Sequence, residues 1–95
     1  MTNFLQIEHS NQFKRDYKKA KKQGKDLTIL YKVIENLCSQ KPLPEKFRDH
    51  SLSHNWKNYR ELHLSSDWLL IYRIVPEEHL LQLARLGSHA ELFNM

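Results

Sequence analysis

Ninety-five residues, 40% of them hydrophobic with only two Gly and three Pro, are enough for one compact core and too apolar for a disordered chain. No apolar run approaches the ~20 residues of a membrane helix, the N-terminus lacks the basic-then-apolar pattern of a secretory leader, and a single Cys38 excludes an internal disulfide. The formal charge is +4, and the expectation is one domain, residues 1–95, soluble and cytoplasmic, with no membrane contact.

Phe4, Leu5 and Ile7, within Thr2 to Glu8, predict a short first strand. Ser10 is placed to cap a helix in which Phe13, Tyr17 and Ala20 recur at helical spacing, and Gly24 ends it. Lys14, Arg15, Lys18, Lys19, Lys21, Lys22 and Lys25 crowd this stretch against Asp16 alone. A lysine-rich helix is ordinarily a solvated face, but this density favours a polyanionic partner, nucleic acid before membrane. Lysine contacts to phosphate supply affinity and not sequence choice; Lys18, Lys19 and Lys22 are the expected contacts. Asp26 can cap a second helix, in which Leu27, Leu30, Tyr31, Ile34, Leu37 and Cys38 form an apolar stripe. That stripe reads as core, and Cys38 as a small buried hydrophobe.

Pro42-Leu43-Pro44 breaks the helical pattern and starts an extended connection. Trp56 to Leu64, Asp67 to Val75 and Leu80 to Leu86 are then rich in aromatic and aliphatic residues. Ser65-Ser66 and Pro76-Glu77-Glu78-His79 separate them as hairpin turns. The predicted order is β-α-α-β-β-β, an α+β fold with two helices packed on one face of a small antiparallel sheet.

Four ionisable residues crowd the second half of the chain: His50, His63, Asp67 and His89. Period-two geometry puts Tyr59, Glu61 and His63 on one strand face, and Arg85, Gly87 and His89 on another if the last pairing continues. One concave surface then carries Glu61, His63, Asp67, Arg85 and His89, with His50 at its rim. Imidazoles exchange protons near neutral pH, and a carboxylate can be a base or hold an imidazolium. His9, His54 and His79 read as ordinary polar residues, and Trp56, Trp68 and Tyr72 as core. Phe93, near the terminus, is better explained by stacking on a base. No metal or other cofactor is expected: His-Glu-x-x-His is absent, and His50-x-x-x-His54 has no thiol partner.

Asp49-His50-Ser51-Leu52, Trp56-Lys57-Asn58-Tyr59-Arg60-Glu61-Leu62-His63, Asp67-Trp68-Leu69-Leu70-Ile71-Tyr72 and Arg85-Leu86-Gly87-Ser88-His89-Ala90-Glu91-Leu92-Phe93 together resemble the YafQ-type toxins of the RelE/ParE superfamily. The resemblance is dense from Phe47 to Phe93 and looser across the two helices. It implies a bacterial toxin of a toxin–antitoxin pair, a ribosome-dependent endoribonuclease that cuts mRNA in the A site. The implied catalytic set is His50, His63, Asp67 and His89, with Arg85 on phosphate and Phe93 positioning RNA. Glu61 stands where such a toxin can carry aspartate, which suggests an orienting role toward His63. The implied partners are a cognate antitoxin, mRNA and the ribosome with its 16S rRNA, and operator DNA through the antitoxin complex. The same fold also serves a non-catalytic topoisomerase inhibitor of the ParE type, or a DNA-associated co-repressor. Three placed imidazoles favour the nuclease.

Overall fold

The computed structural model describes residues 4–93; Thr2 and Asn3, at the head of the predicted first strand, lie outside them. Strand β1 covers Gln6–His9 and is followed by helices α1, Asn11–Lys22, and α2, Leu27–Cys38. After a 3-10 turn at Glu45–Phe47 come β2, His50–Ser51, then β3, Arg60–Ser65, β4, Trp68–Val75, and β5, Leu80–Gly87. A short helix α3, His89–Phe93, ends the described chain.

Both long helices start and stop for local reasons. The Ser10 hydroxyl accepts from Phe13 N at 2.9 Å, and the Asp26 carboxylate from Thr28 N at 3.0 Å, so each cap satisfies an N–H the helix leaves open. Gly24 leaves α1 at φ +74, where a side chain is strained, and lets Lys25 N return to Ala20 O. The stripe of α2 is rotated from the predicted one. Val33 enters the core, whereas Tyr31 is 52% exposed and pairs by its hydroxyl with Tyr17.

The sheet runs in the order β1-β5-β4-β3-β2. β3, β4 and β5 form the predicted antiparallel meander. β1 joins β5 in parallel, Gln6 opposite Leu80 through His9 opposite Leu83, so the sheet is mixed and not antiparallel throughout. The two helices between β1 and the meander supply the long crossover that a parallel neighbour needs. The residues of β1 itself are exposed, Ile7 included, and the inward anchor of this edge is Leu5.

The alternation of side chains divides the sheet into two differently used faces. Leu62, Leu64, Trp68, Leu70, Tyr72, Leu81, Leu83 and Leu86 meet the helices through Phe13, Ala20, Leu30, Val33 and Leu37. The opposite face carries a smaller cluster of Leu69, Ile71 and Leu92, flanked by Leu52, Trp56, Tyr59, Ala84 and Phe93. β4 is covered on both sides, which explains its unbroken apolar run, Trp68-Leu69-Leu70-Ile71-Tyr72. A register shift after Ile71 makes Ala84 an extra residue in β5, and so Leu83 and Leu86, three apart, both face the helices.

Candidate active site

Register carries chemistry to the face away from the helices. His50 lies opposite Glu61, Glu61 opposite Ile71, and Ile71 opposite Arg85; one step along, His63 lies opposite Leu69, and Leu69 opposite Gly87. His50 therefore belongs to a paired strand and not to a loop. Pairing of β5 stops at Gly87, so His89 is not the strand extension predicted for it. It is the first residue of α3, which folds back over the sheet and brings its ring to the others. Ring centroids follow in a row: His50 to His63 at 6.2 Å, His63 to His89 at 5.8 Å and His89 to Phe93 at 6.3 Å.

α3 is fastened at its start. Ser88 Oγ accepts from Glu91 N at 3.2 Å while the Glu91 carboxylate accepts from Ser88 N at 2.8 Å, a reciprocal capping box. Lys19 of α1 pairs with the same carboxylate, and these partners, Lys19 first, hold the Glu91 carboxyl below its ordinary range. A methyl group on Gly87 would lie 3.0 Å from Glu91 Oε1 and 3.3 Å from Leu92 Cδ2, so the absence of a side chain there lets α3 close on β5. Asp67, in the β3–β4 turn, supplies the last tie. Its Oδ1 accepts from His89 N at 3.0 Å and from His89 Nδ1 at 2.9 Å. Those two bonds, backbone first, depress the Asp67 carboxyl. His89 Nδ1 is thus a donor, and Nε2 is left for the second proton.

Glu61 sits between the other two imidazoles. It is 4% exposed, with Oε1 at 3.4 Å from His50 Nε2 and 3.7 Å from His63 Nε2. Arg48 reaches both rings from their other side. Its carbonyl accepts from His50 Nδ1 at 2.8 Å, and its Nη2 lies 3.2 Å from His63 Nδ1. A guanidinium can only donate, so Nδ1 of His63 is the bare nitrogen and its Nε2–H is directed toward Glu61. Burial and then the charge of Arg48 lower the pKa of His63, against the pull of Glu61, which favours its neutral form. His50, Glu61 and His63 offer ligand atoms within 4.8 Å of one another and could hold a metal ion, a grouping that their separation in sequence conceals. Coordination through Nε2 of His63 would require its proton to move to Nδ1 and Arg48 to withdraw.

The remaining predicted residues fall in different places. Arg85 is not free for phosphate: its Nε and Nη2 donate to the two oxygens of Asp16 at 2.8 and 3.3 Å. Asp16 also accepts from Leu86 N at 2.9 Å, which makes it a buried bracket between α1 and the unpaired edge of β5. Lys19 is engaged by Glu91, while Lys18 and Lys22 are exposed on α1; Lys18 borders the groove between α1 and α2, away from the imidazoles. Phe93 lies beside His89 and shares a hollow of about 400 Å³ with Leu52, Asn55, Trp56 and Leu92. Trp56 is therefore half-buried on the face that carries the imidazoles and is not in the main core; Trp68 and Tyr72 are in the core as expected. Arg48, Asp16 and the Ser88–Glu91 box were not singled out by sequence reasoning. Only the box carried a local signal, Ser-x-x-Glu.

A family model described as the bacterial toxin of type II toxin–antitoxin systems, YafQ, matches residues 5–94. The mRNA interferase toxin YafQ of Escherichia coli is 42% identical over 88 residues, which is 92% of this chain and 94% of that protein. A metal-bound toxin from Helicobacter pylori superposes with a TM-score of 0.89 at 49% identity, covering 94% of this chain and 99% of that one. The Escherichia coli DinJ-YafQ toxin–antitoxin complex contains a chain that matches with a TM-score of 0.84 and 40% identity, over 94% of this chain and 97% of that one.

Proposed function

The chain belongs to the YafQ family of toxins of type II toxin–antitoxin systems, and from that premise we propose how it acts: as an endoribonuclease that cuts mRNA in the ribosomal A site by acid–base catalysis. The observation that carries the chemistry is the row of three imidazoles, His50, His63 and His89, with Asp67 bonded to the last of them.

His63 is the base. Neutral and carrying its lone pair on Nδ1, it takes the proton of the RNA 2′-hydroxyl as that oxygen bonds to the adjacent phosphorus. His89 is the acid. Its Nε2 proton passes to the departing 5′-oxygen as the P–O5′ bond breaks, leaving a 2′,3′-cyclic phosphate and a 5′-hydroxyl. Asp67 Oδ1 already accepts two bonds from His89, so Asp67 serves the acid and not the base. Glu61 steadies the Nε2 atoms of His50 and His63, and His50 assists in positioning the phosphate. Phe93 stacks on a base next to the cut.

The curated relatives carry the name mRNA interferase, and the topoisomerase-inhibitor reading is not favoured. The Escherichia coli relative is held in a complex with the antitoxin DinJ. A small acidic antitoxin that covers this face is the corresponding partner here. No helix among the described residues is long and apolar enough to cross a membrane; the whole chain working as one toxin domain in the cytoplasm is part of the same proposal.

The test is to map 5′ ends of mRNA in translating extracts with wild type and His89→Ala. Cuts that appear with wild type and vanish with the variant are expected. Equal cutting by both would remove His89 from the mechanism, and silence of the wild type would remove the nuclease reading.

A further inference from the structure

Phosphorane formation on the imidazole face needs a cation whose charge is not already spent within the fold. The arginines are almost all answered. Arg60 reaches Asp49, Arg73 donates to Gln82, Arg15 donates to Gln12, and Arg85 forks onto Asp16. Lys19 is held by Glu91. Arg48 differs. Among the described residues its guanidinium has one partner, the neutral ring of His63, and it is exposed.

Its backbone is unusual as well. Arg48 closes the Glu45–Phe47 turn at φ 48, in the left-handed region that costs a residue with a side chain about 1 kcal/mol or more. That conformation lets one residue turn its carbonyl to His50 and its guanidinium to His63. Beyond it opens a hollow of about 380 Å³ whose polar wall is Lys46, Arg48, His63, Ser65 and Ser66, with Ile29, Phe47 and Leu64 on the apolar side. The two cations, two hydroxyls and imidazole among these residues suit an anion that bears several oxygens.

We infer that Arg48 and Lys46 form a phosphate subsite of the RNA groove, with Arg48 moving from Nδ1 of His63 onto the scissile phosphate and Lys46 contacting the next phosphate along the strand. This deepens the nuclease reading and rests on it. Arg48 then has two linked effects. In the free protein its donated hydrogen bond blocks Nδ1 of His63, the nitrogen that must accept the 2′-hydroxyl proton. When a phosphate arrives, the guanidinium exchanges a neutral acceptor for an anionic one, a stronger bond. Nδ1 is uncovered in the same movement. The proton goes from O2′ to Nδ1, O2′ bonds to phosphorus, and Arg48 faces the charge that grows on the non-bridging oxygens. The base is therefore unmasked by the substrate it attacks.

The experiment compares wild type, Arg48→Ala, Arg48→Lys, Lys46→Ala and the charge control Lys32→Ala, which lies exposed on α2. Cleavage is followed in translating extracts, and binding is measured on purified protein with a single-stranded oligoribonucleotide blocked by a 2′-deoxy substitution at the cut nucleotide. Arg48→Ala is expected to lower kcat about 10²-fold, the scale for losing one donor to a developing oxyanion. Arg48→Lys should recover part of that loss, because the charge but not the fork is restored. Lys46→Ala should raise KM several-fold, and Arg48→Ala and Lys46→Ala should each reduce the salt slope of binding by about one, while Arg48→Lys leaves it unchanged. Lys32→Ala should match wild type. An Arg48→Ala protein that cuts at the wild-type rate with an unchanged salt slope would overturn the subsite while leaving the nuclease intact. Silence of every protein, wild type included, would instead overturn the nuclease reading and the subsite with it. Misfolding is checked by thermal unfolding; the His50 bond is made to the Arg48 backbone and survives the substitution.

Discussion

Asp67 Oδ1 accepts both the backbone N–H and the Nδ1–H of His89, at 3.0 and 2.9 Å, so a turn between two strands fixes a helix and the tautomer of that helix's first ring. Replacing Asp67 by Asn keeps the shape and removes the carboxylate charge beside the His89 ring. Turnover should fall by about 10³-fold, within the range for a misoriented or unsupported catalytic imidazole. Denaturation should hardly change, because Asp67 is exposed. The Asp67 carboxyl titrates below its ordinary value of 3.8 in the folded protein. A depressed folded pKa means that this tether is fully present above the unfolded value and is lost only as pH falls through the folded one. The Asp67 carboxyl carbon should therefore show its protonation shift only in acid below the ordinary carboxylate range.

The bracket made by Asp16 is a matter of stability. Asp16→Ala strips Arg85 of its carboxylate and Leu86 N of its acceptor in a half-dry setting. Breaking such a pair from one side costs about 3 kcal/mol, because the remaining charge stays where water cannot fully reach it. Urea denaturation should show that loss. Arg85→Ala should also destabilise, so any fall in its activity has to be read against the fraction folded.

Gly87→Ala tests the closure of α3. The added methyl meets Glu91 Oε1 at 3.0 Å and Leu92 Cδ2 at 3.3 Å, and the side chains that must yield are those that seat the helix. Overpacking of this kind costs about 1–3 kcal/mol. A shift of His89 by even ~1 Å can cost 10²-fold in rate. Activity should thus fall further than stability, as measured by single-turnover cleavage beside thermal unfolding.

Tyr72 sets the alkaline limit. Its hydroxyl donates to Asp49 at 2.7 Å beneath the sheet; burial first, and the Asp49 carboxylate second, push its pKa well above 10. A raised folded pKa gives stability that is complete below the unfolded value of 10 and declines as pH rises beyond it, because only the unfolded chain then releases the proton. Urea midpoints measured from pH 8 to 11 should drop more steeply for wild type than for Tyr72→Phe.

Much of this arrangement could be read from local pattern. Ser10, Asp26 and Gly24 mark helix ends by chemistry that acts over three residues, and the turns at Ser65-Ser66 and Pro76–His79 announce the meander. The convergence of His50, His63, Asp67 and His89 was also legible, although the route to His89 was not. Period-two reasoning extended β5 through Ser88, where the reciprocal bonds between Ser88 and Glu91 instead begin a helix. What stayed hidden depends on partners distant in sequence. Asp16 looked like a solvated acid within a lysine block; its role appears only once Arg85, 69 residues later, folds against it. The parallel union of β1 with β5 leaves no mark on either segment, and β1 buries too little for its pattern to show. Arg48 carried no signal at all, because its significance lies in a left-handed backbone and in two rings contributed by other strands.

The pairing of Gln6 with Leu80 has a consequence for biosynthesis. β1 is made two helices and three strands before the β5 it pairs with, and His89, with the helix that carries it, emerges after both. Non-local closure of this kind is deferred until both partners exist. A nascent chain therefore has its helices early and assembles its imidazole face only once β5 and α3 have been made.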